Sequence, residues 1–319
     1  VHAGTVGPLA AAVAGYPAAP RPPPPEPVLP LRPPRPRAAA VAAAALLAPV
    51  PALAQEGPEL PRGGRSVLPE HRVVVIAGAP QADAMGVLGI GPPSRARAAL
   101  LRLAAPFDRT LGRPVMPAME LITVVAHPFP GRDGRYRGRQ HPAVVRRYLR
   151  EARRARALLI LGIQPGRSDF VTEVRALAPY LREPDVGVAL DPEWRMGPGE
   201  VPGGRVGSVD AREVDRVAAV LAAMVRRHRL PDKVLMVHQF TDGMIRRRPL
   251  LRQRPGVDLV ISADGIGTPA EKRWTYERLV RGAGDLHRGY KIFFQEDRGL
   301  TTPGQVMRMD PPPDLVVYE

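Results

Sequence analysis

From residue 72 onward, two rhythms of apolar and polar positions take turns along the chain. Short β-rich apolar runs occupy 72–77 (RVVVIA), 114–126 (PVMPAMELITVVA), 157–164 (ALLILGIQ) and 186–191 (VGVALD). Four more follow at 233–240 (KVLMVHQF), 257–264 (VDLVISAD), 289–295 (GYKIFFQ) and 314–318 (DLVVY). Between them lie stretches whose apolar residues recur at helical spacing: 94–105, 142–156, 169–182, 210–228 and 269–281. The fourth is the clearest, with Val214, Val217, Leu221, Met224 and Val225 on one stripe and Asp210 placed to cap it. Ser168 is a candidate cap for the third, and Pro142 suits the first turn of the second. The connections 245–255 and 303–310 are short and contain proline, which leaves room for one helical turn or none.

Strict alternation of strand and helix implies parallel strands joined by right-handed crossovers. Eight such units in roughly 250 residues match the size and count of a (β/α)8 TIM-type barrel. An open doubly wound sheet competes, but Gly78-Ala79-Pro80 runs into a loop, so no glycine-rich phosphate fingerprint opens a helix after the first strand. The expected domain therefore spans 72–319. It ends on its eighth strand without the usual last helix, and residues 56–70 are expected to cross the barrel floor.

Composition changes the picture mainly before residue 72. Forty prolines crowd toward the amino terminus. Within residues 31–55, Arg32, Arg35 and Arg37 precede an uncharged run at 38–50, and Ala52-Leu53-Ala54 supplies a small-x-small cleavage pattern before Gln55. That order predicts a signal peptide behind a low-complexity leader (1–54), then an extension at 55–71; an Ala/Pro-rich unstructured tail is the other reading. The apolar run is too short to span a bilayer, so the expected location is secreted or at the cell surface.

The formal net charge is +15, with Lys233, Lys272 and Lys291 the lysines among 46 basic residues. Arginines line the second helix (Arg146, Arg147, Arg150, Arg153, Arg154, Arg156) and the 246–248 loop. No aromatic-interleaved recognition motif accompanies them, so a solvated surface is expected and a nucleic-acid role is not. Cysteine is absent, which excludes disulfides, thiolate metal sites and a cysteine-anchored lipid.

Catalytic groups of such barrels stand at the carboxyl ends of the strands. Glu120 interrupts an apolar strand, where an acid needs a partner or a task. Gln164 ends the third strand, Asp191 and Glu193 extend the fourth, His238 or Gln239 the fifth, and Asp264 the sixth. Lys291 and Gln295 share a face of the seventh, with Glu296 and Asp297 beyond it. A structural Glu120–Lys291 ion pair is one plain reading. His238 is expected to stand apart from other ligands, so neither a metal nor a cofactor is expected. Along an extended strand, Asp191 and Glu193 would share a face about 6–7 Å apart, and one charge would raise the pKa of the other.

The run Leu190-Asp191-Pro192-Glu193-Trp194 resembles the D-x-E end of the fourth barrel strand in muramidase-like and chitinase-like glycoside hydrolases. The resemblance implies that Glu193 is the proton donor and Asp191 its helper. Three departures stand beside it. The run of acids that precedes the chitinase-like Glu is missing, the first strand lacks the muramidase-like Asp, and no Asn precedes Glu193. The mature part also resembles uncharacterised secreted barrel proteins of actinobacteria.

Together these features imply a secreted carbohydrate-active hydrolase acting on a cell-wall or environmental glycan. Glu193, Asp191 and Asp264 would be catalytic, and Glu120, Gln164, Trp194, His238, Gln239, Lys291 and Gln295 would bind substrate. A glycan-binding barrel without catalysis, or a Schiff-base lyase or aldolase using Lys291, are the alternatives.

Overall fold

The computed structural model describes residues 57–81, 83–108 and 112–319. The expected leader, signal peptide and cleavage point before Gln55 lie outside the described residues. The eight expected strands all form: β1 (Arg72–Gly78), β2 (Val115–Ala126), β3 (Leu158–Ile163), β4 (Val186–Leu190), β5 (Lys233–Gln239), β6 (Val257–Ala263), β7 (His287–Ile292) and β8 (Leu315–Tyr318). Each pairs in parallel with its neighbours in chain order, and β1 pairs with both β2 and β8, so the sheet closes. The fold is an α/β barrel of TIM type.

Helices α1 (Pro93–Asp108), α2 (Pro142–Arg154), α3 (Phe170–Ala176), α4 (Ala178–Leu181), α5 (Ala211–His228), α6 (Pro269–Val280) and α7 (Pro303–Met307) run between the strands. No helix among the described residues is long and apolar enough to cross a membrane. On α5, Asp210 accepts a hydrogen bond from the Arg212 amide at 3.0 Å, while Val214, Val217, Leu221 and Val225 are buried. The third helix starts one residue later than Ser168 implies. Asp169 is its cap, because its carboxylate takes both the amide and the hydroxyl of Thr172, at 2.8 and 2.7 Å. The single expected helix there breaks at Leu177 into α3 and α4. Pro142 does open α2, behind His141 as cap.

Alternation divides the core in two. Outward-facing residues such as Val74, Ile76, Leu159, Leu161, Leu235 and Val237 pack against the helices. Inward-facing Val73, Val75, Met116, Ala118, Ile160, Ala189, Val234, Met236, Val260 and Val317 fill the barrel together with Leu60, Val67 and Leu68. The segment before β1 thus covers the floor, as the sequence suggested. Its Arg65 guanidinium donates to the carbonyls of Pro58 (2.8 Å) and Leu230 (3.0 Å), and the Leu68 amide donates to Asp258 Oδ2 (3.1 Å).

Two additions escape the periodicity. Arg137–Arg139 pairs antiparallel to the end of β2, and Val209–Asp210 pairs with Ile245–Arg246. Both are too short to show a pattern in sequence. Glu173 on α3 is fully buried and holds the first of them, accepting from Arg137 Nε (2.9 Å) and Arg139 Nε (2.7 Å).

Candidate functional site

Above the apolar layers, the same inward parity changes from aliphatic to ionisable. Beyond Met116 and Ala118 comes Glu120; beyond Val234 and Met236 comes His238; beyond Val260 and Ser262 comes Asp264. Asp191 follows Ala189, Lys291 follows Gly289, and Glu319 follows Leu315 and Val317. Closure of the sheet turns these strand ends toward one another. Gly162 on β3 leaves room for this layer, since a Cβ there would lie 3.3 Å from Glu120 Oε1.

His238 is the hub, and it is 1% exposed. Its Nδ1 lies 2.5 Å from Asp264 Oδ2, and its Nε2 lies 3.1 Å from Glu120 Oε1 and 3.6 Å from Asp191 Oδ1. The expectation that His238 stands apart from other possible ligands is therefore corrected, because three strands that are distant in sequence deliver carboxylates to one ring. Lys291 Nζ lies 2.6 Å from Glu319 Oε2 and 3.5 Å from Asp264 Oδ2. The direct partner of Glu120 is thus His238, and that of Lys291 is Glu319. Ser262 Oγ donates to Asp264 Oδ1 at 2.7 Å.

The electrostatics follow from enclosure and proximity. Burial would lower the His238 pKa, but Asp264, Glu120 and Asp191 outweigh it and hold the ring well above the ordinary imidazole value. Burial likewise opposes the charge on Lys291, yet Glu319 and Asp264 keep that ammonium well above its usual range. Burial would raise Asp264, but His238, Lys291 and two hydrogen bonds hold it below the usual carboxylate value. Asp191 is pushed up to about 7 by burial, with Glu120 adding to the rise against the pull of His238. Glu193 is driven well above the carboxylate range by burial and by Asp191.

The remaining expected residues divide. β4 ends at Leu190, and Pro192–Trp194 forms a 3-10 turn, so Asp191 and Glu193 do not share a strand face. Proline in that position cannot continue the ladder, and the turn brings the Glu193 carboxyl to the cluster by another route. Glu193 Oε2 is enclosed and has no hydrogen-bond partner; the same holds for Glu120 Oε2. Trp194 is half-buried on the same turn. Gln164 is buried, and its Oε1 accepts from the Ala126 amide at 3.2 Å, tying β3 to β2.

Gln239 has the opposite parity to His238 and belongs with the outward-facing Leu235 and Val237; its Nε2 donates to the Thr241 carbonyl at 3.0 Å. β7 ends at Ile292, so Gln295 lies in the following turn, exposed, and not on the Lys291 face. Asp297 is a brace rather than a solvated loop acid: it pairs with Lys272 at 3.0 Å and accepts the Phe293 amide at 2.9 Å.

Two members of the cluster, Glu319 and Ser262, were missed in the sequence. Parity could have found both, since Leu315, Val317 and Glu319 alternate, as do Val260, Ser262 and Asp264.

Fold and site together define a TIM-type barrel with an ionisable cluster at the carboxyl ends of its strands. Comparison of the sequence with protein-family models and with curated proteins finds no match in either.

Proposed function

We propose that this barrel is a carbohydrate-active hydrolase of glycosidase type, acting outside the cytoplasm on an envelope or environmental glycan, with Glu193 as proton donor. The observation that carries the reading is the position of Glu193. Its Oε2 is enclosed without a protein partner, at the carboxyl end of β4, beside Asp191 and the His238–Asp264 pair. A carboxyl so placed favours its neutral form, and no protein group competes for its proton. Asp191 or Asp264 would stabilise the oxocarbenium-like transition state. Trp194, on the same turn, offers a ring to a sugar face, and Glu120, Gln164 and Lys291 would orient polar groups of the substrate.

The assignment of a sugar substrate comes from the D-x-E resemblance together with this placement. A Schiff-base lysine is less favoured, because an amine nucleophile needs a lowered pKa and Lys291 sits between two carboxylates that raise it. A barrel that holds glycan without cleaving it remains the second reading.

The test is a panel of polysaccharides, including peptidoglycan and arabinogalactan-type polymers, followed by Glu193→Gln on whichever is cleaved. The amide keeps the shape but removes the transferable proton. Turnover should fall by about 10²–10⁴-fold while binding persists. Cleavage by the variant at the wild-type rate would refute the assignment, and binding without turnover by the wild type would favour the second reading.

A further inference from the structure

The cluster holds more acid than its cations balance. Five carboxyl groups (Glu120, Asp191, Glu193, Asp264, Glu319) surround two cations, His238 and Lys291, while the nearby Lys272 is committed to Asp297. Lys291 is taken by Glu319 and Asp264, and the Nδ1 side of His238 by Asp264. That leaves Glu120 and Asp191 sharing the single Nε2 of His238. Glu120 is 2% exposed, yet its Oε2 has no partner at all. A buried carboxylate oxygen of this kind is an acceptor without a donor, and its lone pairs are available to a cation.

The geometry points to a site for a divalent transition-metal cation held by Glu120, Asp191 and His238. One donor atom from each lies within 4.8 Å of the others. His238 Nε2 is 3.1 Å from the Glu120 oxygen and 3.6 Å from the Asp191 oxygen. A tetrahedral ion with bonds of about 2.0–2.1 Å separates its ligand atoms by about 3.3–3.4 Å, which falls between these two distances. The imidazole is also oriented for the task, and it gives up its Nε2 proton as the ion binds. Its Nδ1 donates to Asp264, which Ser262 holds from the other side, so Nε2 is the nitrogen presented to the cluster. A carboxylate behind a histidine in this way fixes ring orientation and tautomer for a metal.

One imidazole and two carboxylates suit Zn²⁺, Mn²⁺ or Fe²⁺ better than Ca²⁺, which prefers six to eight oxygens. Three protein ligands leave a coordination position open, where a water or a substrate oxygen could bind. The sequence could not show the site, because its ligands are 118 residues apart at the extremes, on β2 and β5, with Asp191 between them.

The inference shares Glu120 and Asp191 with the glycan reading but does not rest on it, and its test measures binding. The full chain, freed of metal with a chelator, is titrated with Zn²⁺ by calorimetry and with Mn²⁺ by electron paramagnetic resonance. One ion per chain is expected. Asp264→Asn should weaken binding by about 10–100-fold, the usual effect of losing the group behind a ligating histidine. Glu120→Gln should weaken it further, and Glu193→Gln should leave it intact. Should a variant fail to fold, pulsed resonance of Mn²⁺ on the wild-type chain reads a directly bonded imidazole nitrogen. Absence of saturable binding by either ion overturns the proposal. So does an affinity unchanged in both Asp264→Asn and Glu120→Gln, or Mn²⁺ without a bonded nitrogen. None of these results bears on the cleavage test with Glu193→Gln.

Discussion

Replacing Asp258 with asparagine should remove the pH dependence that this residue imposes on stability. Asp258 stands on β6 at the floor of the barrel, 7% exposed, where its Oδ2 accepts the Leu68 amide at 3.1 Å. Burial, reinforced by the charge of Asp232, pushes its carboxyl up to about 7, against the opposing pull of the Leu68 hydrogen bond and of His287. In the unfolded chain the value returns to the ordinary 3.8. Between these values the folded protein keeps a proton that the unfolded chain has released. The contribution to stability is therefore full below about 4, declines as pH rises, and is gone above about 7. At ~1.4 kcal/mol per pH unit, the whole interval amounts to about 4 kcal/mol, and relaxation around the charged form brings the expected effect to about 2–4 kcal/mol. Asparagine cannot ionise, yet its carbonyl can still accept from Leu68. Urea unfolding followed by tryptophan fluorescence at pH 4, 6 and 8 provides the measurement. Asp258→Asn should match or fall slightly below the wild type at pH 4 and exceed it by about 2–4 kcal/mol at pH 8. A difference between the two proteins that stays constant from pH 4 to pH 8 would refute the reasoning.

Two further outcomes follow from packing. Glu173→Ala removes the buried carboxylate beneath Arg137 and Arg139 and should cost about 3–5 kcal/mol, because Arg137 is left enclosed without its main partner. Hydrogen exchange should accelerate first in residues 127–140; unchanged protection there would show that Glu173 does not pin the short strand. Leu221→Ala on α5 empties a fully buried position in the shell between helix and sheet, and should lower unfolding free energy by about 2–5 kcal/mol. A loss under about 1 kcal/mol in denaturant titration would mean the shell closes over the gap.

Much of this protein was legible in local pattern. Apolar runs bounded by polar loops marked all eight strands, since a strand buried on both faces must be continuously apolar. The Val214–Leu221 stripe and Asp210 marked α5, because helix periodicity and capping depend only on residues a few positions apart. The polar residues that interrupt the apolar strands, Glu120, His238, Asp264 and Lys291, likewise stood out one by one. Errors began where a local rule had two solutions. Asp169 outcompeted Ser168 as a cap with a carboxylate that reaches two donors of Thr172. The chain left β4 after Leu190 and turned at Pro192, so spacing along an extended strand misjudged how Asp191 and Glu193 relate.

Partnership was the part that only the tertiary structure decided. Periodicity states which way a side chain points, but the distances across a barrel depend on closure and on the stagger of strands that are far apart in sequence. That is why Glu120 meets His238 and not Lys291, why Lys291 is claimed by Glu319, and why Gln239 and Gln295 fall outside the cluster while Asp264 lies at its centre.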